Sequence, residues 1–430
     1  MKLIDIIEVF IAGDWGEETY SKETPCAVTC VRGADIIPIS EYDFSAIPVR
    51  YINQQAYAKK CLQVGDIIIE KSGGSPTQST GRVSLVSQEL LDHAGAVICS
   101  NFCTAFRVKK GWNPLYVYYY LQFIYNLGAF FNFEGKTSGI KNLQLDAAFV
   151  AIPIEDISES IQNNIVAILQ GLERKIAINR QINQNLEAMA KQLYDYWFVQ
   201  FDFPNEEGKP YKSSGGEMVW NEKLKRDIPA LWKTKVIEDI ADVYNGATPS
   251  TINEQNYGGD IVWITPKDLS DQKQKFVYQG ERNISQVGYN SCSTHLLPPN
   301  TILMSSRAPI GLLSIAKTDL CTNQGFKSFV PKAENISTYL YYYLNIHIKQ
   351  IEQLGTGTTF KEVSREDVLK FSILKPSDTI LDLWEERVSA LNNKQFEIQK
   401  ENEYLTKQRD ELLPLLMNGQ VSVNSDLSDD

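Results

Sequence analysis

Short glycine-containing stretches carry most of the side chains in this sequence that could act on another molecule. In the first half they are Arg32-Gly33, Lys71-Ser72-Gly73-Gly74 with Arg82, and Lys136-Thr137-Ser138-Gly139 with Lys141-Asn142. In the second half they are Pro266-Lys267, Ser305-Ser306-Arg307, Asn323-Gln324-Gly325, and Thr356-Gly357-Thr358-Thr359 with Lys361. Glycine lets a backbone approach a phosphate closely, while Ser, Thr and Lys supply donors. Arg, Asn and Gln can address base edges through two hydrogen bonds at once. The chemistry expected is nucleic-acid contact. Its candidates are Arg32, Lys71, Ser72, Arg82, Lys136, Thr137, Lys141, Asn142, Lys267, Ser306, Arg307, Asn323, Gln324, Thr358, Thr359 and Lys361.

Bond-making chemistry finds no comparable support. No GxGxxG precedes an acidic residue at a nucleotide-binding distance, and no Walker-type loop occurs. Leu297-Pro298-Pro299-Asn300 has the wrong order for the Asn/Asp-Pro-Pro-aromatic tetrad of amino-methyltransferases, and no Asp…Glu-x-Lys nuclease cluster stands out. The three histidines, His93, His295 and His347, stand far apart and read as structural or surface residues. Cys26-x3-Cys30 and Cys99-x3-Cys103 have a spacing tolerable for a four-thiolate zinc site. Each pair lies in apolar, strand-like sequence, where cysteine behaves as a small hydrophobe, so no metal is expected. No catalytic residue is assigned.

The bulk numbers narrow the class. A chain of 430 residues has room for two or three domains, and 43% hydrophobic with 22% charged content is ordinary globular composition. No run of 18 apolar residues exists to span a bilayer. Acidic residues inside Met1-Lys2-Leu3-Ile4-Asp5-Ile6-Ile7-Glu8 argue against a signal peptide. Seven scattered cysteines fit a reducing compartment. The expected location is cytoplasmic, away from any membrane. A net charge of −11 argues against a free-standing nucleic-acid binder and in favour of a partner that supplies positive charge.

Two long helical stretches must position the loops. Ile161, Ile165, Ile168, Leu172, Ile182, Leu186, Met189 and Leu193 step by threes, fours and sums of the two, as do Leu381, Trp384, Val388, Leu391, Ile398, Leu405, Leu412 and Leu416. This is heptad patterning, and the two stretches are expected to pair as a coiled coil. Polar residues fall into both seams: Lys175 and Asn179 in the first, Gln395, Asn402 and Arg409 in the second. Such residues cost stability and specify register.

The chain also repeats itself. Tyr118-Tyr119-Tyr120-Leu121 returns as Tyr341-Tyr342-Tyr343-Leu344, an offset of 223 (341 − 118). Ile140-Lys141-Asn142-Leu143 resembles Phe360-Lys361-Glu362-Val363, and Leu186 and Leu193 fall on Leu405 and Leu412. Val28–Ile36 lines up with Val262–Leu269, and Leu62–Gly74 with Leu297–Gly311. Five matches in one order mean a duplication. Each copy is a globular domain followed by a long helix. Val64–Glu70 reads as a turn feeding a strand, further strands are expected at Ala96–Cys99, Thr104–Val108, Phe149–Ile154, Ile261–Ile264 and Thr301–Met304, and a helix at Leu115–Leu127. Lys71–Arg82 and Gly135–Lys141 read as loops. The expected division is a first domain at 1–155, a helix at 156–200, a linker at 201–231 rich in Pro, Gly and acids, a second domain at 232–376, a helix at 377–419, and a disordered acidic tail at 420–430.

That layout resembles the specificity subunit of a Type I restriction–modification system, over essentially the whole chain. The carrying residues are Leu193-Tyr194-Asp195-Tyr196-Trp197-Phe198-Val199, Ile228-Pro229-Ala230-Leu231-Trp232-Lys233, Asp260-Ile261-Val262-Trp263-Ile264-Thr265 with Asp268-Leu269, and Leu405 to Gly419 with Leu412-Leu413-Pro414-Leu415-Leu416. The start departs from the family pattern, because the usual Pro-x-x-Trp entry to the first domain is missing. The resemblance implies an α+β fold with two similar target recognition domains, each followed by a long helix, the helices pairing antiparallel. It implies that each domain reads one half of a bipartite double-stranded DNA target. It also implies that two methyltransferase subunits dock on the helices and that restriction/translocase subunits join them. S-adenosylmethionine, ATP and Mg would belong to those partners, leaving this chain without a cofactor. The competing reading is a coiled-coil scaffold with no DNA preference.

Overall fold

The computed structural model describes residues 1–73, 78–137, 140–357 and 361–421, without the side chains of Lys136 and Thr137. Thr358, Thr359 and the tail from residue 422 therefore lie outside the described residues. The chain divides into two compact units. The first is residues 1–180 with 402–430, and the second is residues 181–401. Each unit thus takes part of both long helices, Glu159–Tyr194 and Asp378–Met417.

In the first unit, β1 (Ile7–Ala12), β8 (Cys103–Val108), β4 (Ile67–Glu70) and β6 (Val83–Leu85) make an antiparallel sheet in that order. A second sheet orders β3 (Val49–Ile52), β2 (Cys26–Val31) and β7 (Val97–Cys99), with β2 and β7 parallel. The stretches expected as loops contribute a third: β5 (Ser72–Gly73), β10 (Ile140–Leu143) and β9 (Glu134–Thr137). Glu134–Thr137 and Ile140–Leu143 are therefore paired strands, because Lys141 and Asn142 also find backbone partners at Gly73 and Ser72 that lie far away in sequence. The first half of the expected strand Phe149–Ile154 is helix instead, the end of Leu145–Ala151. Leu145, Ala148, Phe149 and Ile152 are all buried, a spacing of three and four that belongs to a helix face.

The second unit repeats the plan. β14 (Ala241–Asn245), β21 (Phe326–Pro331), β18 (Ile302–Ser306) and β19 (Ile310–Ala316) follow the order of the first sheet, extended by β16 (Phe276–Val277). β17 (Arg282–Ile284), β15 (Tyr257–Ile264) and β20 (Cys321–Thr322) reproduce the second sheet, again with one parallel pair. Registers agree as well: Ile67 faces Phe106 in one unit, and Ile302 faces Phe329 in the other. Two further ribbons pair β13 (Lys233–Val236) with β22 (Ser372–Lys375), and β11 (Met218–Asn221) with β12 (Arg226–Pro229). This last hairpin lies in the segment expected as a linker. Phe203 stacks on Tyr211 at 4.6 Å and on Trp232 at 5.0 Å, and Asp202 accepts hydrogen bonds from Ser213 N and Oγ at 2.7 and 2.6 Å. Its Gly and Pro residues punctuate a folded element, because the aromatics between them have a core to join.

Each unit anchors its sheets to the helices through the middle tyrosine of its repeated triplet. Tyr119 donates to Glu173 at 2.7 Å in the first unit, and Tyr342 donates to Glu187 at 3.1 Å in the second. The helices pair antiparallel. Asn402 Nδ2 donates to Ile176 O in the first unit, while Asn183 and Gln395 exchange side chain-to-carbonyl bonds at 3.3 Å in the second. Trp384, Val388 and Ile398 are buried, and Leu391, Leu405 and Leu412 half-buried, as the second seam requires. The first seam is rotated from expectation. Ile165 is buried and Leu172, Leu186 and Leu193 are half-buried, but Ile161, Ile168 and Ile182 are 46%, 36% and 39% exposed. Leu169, Ile176 and Ala190 fill the seam instead. The heptad column through Ile165 has apolar columns on both flanks, and only the partner helix selects between them.

Candidate nucleic-acid interface

In the first unit three candidate stretches converge on the short β5–β10–β9 sheet. Leu143 N donates to Lys71 O at 2.7 Å, and Lys71 N and Ser72 N both donate to Phe102 O, at 2.8 and 2.9 Å. Ser72 Oγ donates to Asn142 Oδ1 at 2.5 Å. Lys141 lies opposite Lys136 in the ladder, donates to Gln78 O at 3.0 Å and approaches Glu134 at 3.4 Å. Thr137 lies in the same ladder, opposite Ile140. Lys71 is half-buried and has no ion-pair partner among the described residues.

The two arginines stand differently. Arg82 makes a two-pronged pair with Glu70, Nε to Oε2 at 2.9 Å and Nη2 to Oε1 at 2.7 Å, with both side chains largely buried. Arg32 grips Asp35 in the same way, at 2.9 and 2.8 Å, and also donates to Ala46 O. Their forks are filled from within. Glu70 is the centre of this region: a Cβ on Gly33 or on Gly73 would come within 2.7 Å of its Oε1. A carboxylate closing the apolar run Ile67-Ile68-Ile69 was the sequence signal for it.

The second unit builds the same crossing. Val363 N donates to Ser306 O at 3.1 Å and Ser306 N to Gly325 O at 2.7 Å, equivalent to the bonds through Lys71 and Phe102. Asp14 N to Cys99 O at 2.8 Å has its equivalent in Ala247 N to Thr322 O at 3.0 Å. Glu362 is the hub here. It lies 3.2 Å from Lys327 Nζ and 3.9 Å from Arg307 Nη1. Lys327 is buried and also donates to Ser306 Oγ at 3.3 Å. Ser306 is itself buried, and Asn323 Oδ1 is taken by Gly325 N at 2.8 Å. Lys267 pairs with Glu281 on the surface at 2.8 Å, and exposed Gln324 accepts from Thr248 Oγ1. Lys361 is exposed. The chain therefore leaves Asn142, Gln324, Arg307 and Lys361 at the surface, keeps Lys71 half-buried, and holds Arg32, Arg82, Lys141 and Ser306 in the framework.

Sequence reasoning missed Glu70, Lys327 and Glu362, and also Phe102, Tyr20 and Ile252, which are 48%, 63% and 93% exposed at loop tips. The cysteines do not form a thiolate cluster. Cys26 and Cys30 pack in one apolar cluster, Cys99 and Cys103 in another, and all are free thiols. Burial pushes Cys30 up to about 11 and Cys103 up to about 12, which keeps both protonated near neutrality. Among the described residues no group of three His, Cys, Asp or Glu side chains could hold a metal.

Charges at the helix anchors differ between units. Burial raises the Glu173 carboxyl above its usual range against the opposing pull of Tyr119 and Arg409. In the second unit, burial lowers Lys275 while Glu187, 2.8 Å away, pulls it upward; Tyr342, Asn392 and Gln395 accept the remaining ammonium bonds. Among the described residues no helix is long and apolar enough to cross a membrane.

Comparison with known proteins bears on this geometry. Residues 39–188 and 229–404 match the family model for the Type I restriction modification DNA specificity domain. The chain is 39% identical over 189 residues to the Type I restriction enzyme MjaIX specificity subunit of Methanocaldococcus jannaschii, covering 42% of each chain. It thus spans less than half the length of that relative. It is 29% identical over 311 residues to the HindI specificity subunit of Haemophilus influenzae, covering 60% of this chain and 67% of that one. In fold, it matches the crystal structure of a Type I restriction–modification S subunit from M. genitalium at a TM-score of 0.58 and 13% identity, over 97% of this chain and 95% of the other.

Proposed function

The chain belongs to the Type I restriction–modification DNA specificity family, and from that premise we propose that it is the non-catalytic DNA-reading subunit of such a complex. Each unit reads one half of a bipartite target in double-stranded DNA. The observation that carries this is the duplicated loop crossing. The same backbone bonds tie Lys71 to Phe102 and Leu143 in one unit, and Ser306 to Gly325 and Val363 in the other, while the side chains presented there differ. A constant frame with variable contents suits two readers of two sequences.

The helices serve as spacer and as docking frame for two methyltransferase subunits, which restriction/translocase subunits join. The solvent face of the first helix supports docking. It exposes Ile161, Ile168 and Ile178 in the first unit, and Ile182 and Met189 in the second. The solvent face of the second helix carries Asp382, Glu386, Arg387, Lys394, Glu397, Lys400, Lys407 and Glu411. Exposed apolar residues in a row mark protein–protein contact. S-adenosylmethionine, ATP and Mg act in the partners. With 53 acidic against 42 basic residues, a net charge of −11, the isolated chain repels phosphates overall, so tight binding depends on those partners.

The test is to express the chain with its methyltransferase subunits and sequence the methylated motif. The expected result is two short specified blocks around an unspecified gap, with no comparable binding by the chain alone. Methylation without a bipartite motif would refute the reading. Inserting one heptad after Asn183 and another after Lys394 keeps both seams in phase and adds about 10 Å of helix. The blocks should stay the same and the gap should lengthen by about three base pairs, at about 3.4 Å each.

A further inference from the structure

We propose that Ile252 is a specificity-determining residue of the second unit, contacting the 5-methyl group of a thymine in the half-site that unit reads. The inference rests on the DNA-reading function above.

Ile252 lies in the loop of residues 246–256 that joins β14 to β15. It is 93% exposed, more than any other large apolar side chain among the described residues. The loop holding it is firmly tied. Ala247 N donates to Thr322 O at 3.0 Å, and Trp263 Nε1 donates to Ala247 O at 3.1 Å. Tyr257 OH donates to Pro249 O at 2.8 Å, and Asn256 Nδ2 donates to Ser250 O at 2.9 Å. Gly246 runs so close to the neighbouring turn that a Cβ would meet Thr322 O and Asn323 O at 2.2 Å. The side chain is therefore presented to solvent on a rigid mount.

The position recurs. In the first unit the loop of residues 13–25 joins β1 to β2 and starts with Gly13, whose Cβ would meet Ser100 O at 2.0 Å. Seven residues on (20 − 13) stands Tyr20, 63% exposed; Ile252 stands six residues (252 − 246) beyond Gly246. Both units thus expose a large side chain from this loop, one residue apart in register and with different chemistry, Tyr20 lying edge-on to Tyr51 at 6.1 Å. A packing position would keep its volume buried, whereas a reading position keeps its exposure and changes its chemistry.

The surroundings select DNA as the occupant. Thr248, four residues earlier in the loop, is bonded to Gln324, and the turn containing Gln324 packs on Pro266 beside Lys267. One aliphatic group among base-reading side chains is too small a patch for a protein partner. It matches the only apolar group on a base edge in the major groove, the thymine methyl.

The experiment uses the full complex with methyltransferase subunits and a duplex carrying its own methylated motif, titrated at fixed salt. Thymines of the second unit's half-site are replaced singly by deoxyuridine, which removes the methyl alone. One replacement should weaken parental binding about fourfold, the effect of one buried carbon group. Ile252→Ala should bind the thymine duplex several-fold more weakly and no longer distinguish it from the uracil duplex. Ile252→Val should keep the distinction, and both variants should melt at the parental temperature. The proposal is overturned if the half-site contains no A·T pair, if no replacement matters to the parent, or if Ile252→Ala keeps full discrimination. A parental complex with no preferred duplex would instead refute the DNA-reading function itself, and this inference with it.

Discussion

The two units share a frame and differ in where they place charge on it. The first unit buries its carboxylate hub, Glu70, and saturates it with Arg82. The second leaves its hub, Glu362, 41% exposed, with buried Lys327 on one side and Arg307, itself 39% exposed, on the other. Arg82 and Arg307 look interchangeable as basic loop residues. One is a strut just before β6, and the other stands half-exposed just after β18. The two copies therefore place the same residue type at different addresses and give it different surroundings.

The cores differ too. At matching helix positions the first unit has Ile165, Leu169, Leu413 and Leu416, and the second has Trp384, Val388, Tyr194 and Trp197. The aliphatic set became an aromatic cluster in which Trp384 lies 5.0 Å from Phe198 and 5.7 Å from Tyr194. The largest effects of substitution are expected in these cores. Trp384→Ala should cost about 3–5 kcal/mol and Ile165→Ala about 2–4 kcal/mol, read as loss of unfolding free energy in urea. Equal losses would mean that the aromatic cluster adds nothing beyond volume.

Arg82→Ala leaves Glu70 buried without its partner and should destabilise the first unit by about 3 kcal/mol. Arg307→Ala removes a long, exposed contact and should cost less than about 1 kcal/mol. The same pair of variants in DNA titrations should reverse in order once stability is matched. A selective binding defect in well-folded Arg82→Ala would sink the assignment of a strut.

Lys361→Ala and Lys71→Ala separate the two units by DNA binding. Each should weaken binding by about 1–3 kcal/mol where a base contact is lost, and relax one half of the motif only. Relaxation of both halves by one variant would contradict two independent readers.

The smallest effect is a pH dependence confined to the first unit's anchor. Burial raises the folded Glu173 carboxyl, so the folded state holds this proton more tightly than the unfolded chain does. Stability from this group is therefore full below the ordinary carboxylate range and is lost as pH rises through the raised folded value. Glu173→Gln removes that dependence and keeps an acceptor for Tyr119, so the variant should gain on the parent between acid and neutral pH. Parallel stability curves would show that burial of this carboxyl has no cost.

Much of this organisation was legible in the residue order. The duplication followed from the tyrosine triplets and their companions, because a repeat preserves spacing whatever the fold. The second helix and its seam followed from Trp384, Val388, Leu391, Ile398, Leu405 and Leu412, because one apolar column dominates there and its outer face is charged. The first helix was equally plain as a helix, but its buried face was not. Ile161, Ile168 and Ile182 compete with Leu169, Ile176 and Ala190 on either flank of one shared column, and hydrophobicity does not rank them. The candidate loops pose the same problem in charge. Arg82 and Lys267 read as free cations until Glu70 and Glu281 arrive beside them, whereas Arg32 meets Asp35 only three residues along the chain. Periodicity is a property of neighbours along the chain and was there to be read. Helix-face selection and ion pairing depend on groups brought together through space, and those only the tertiary structure decided.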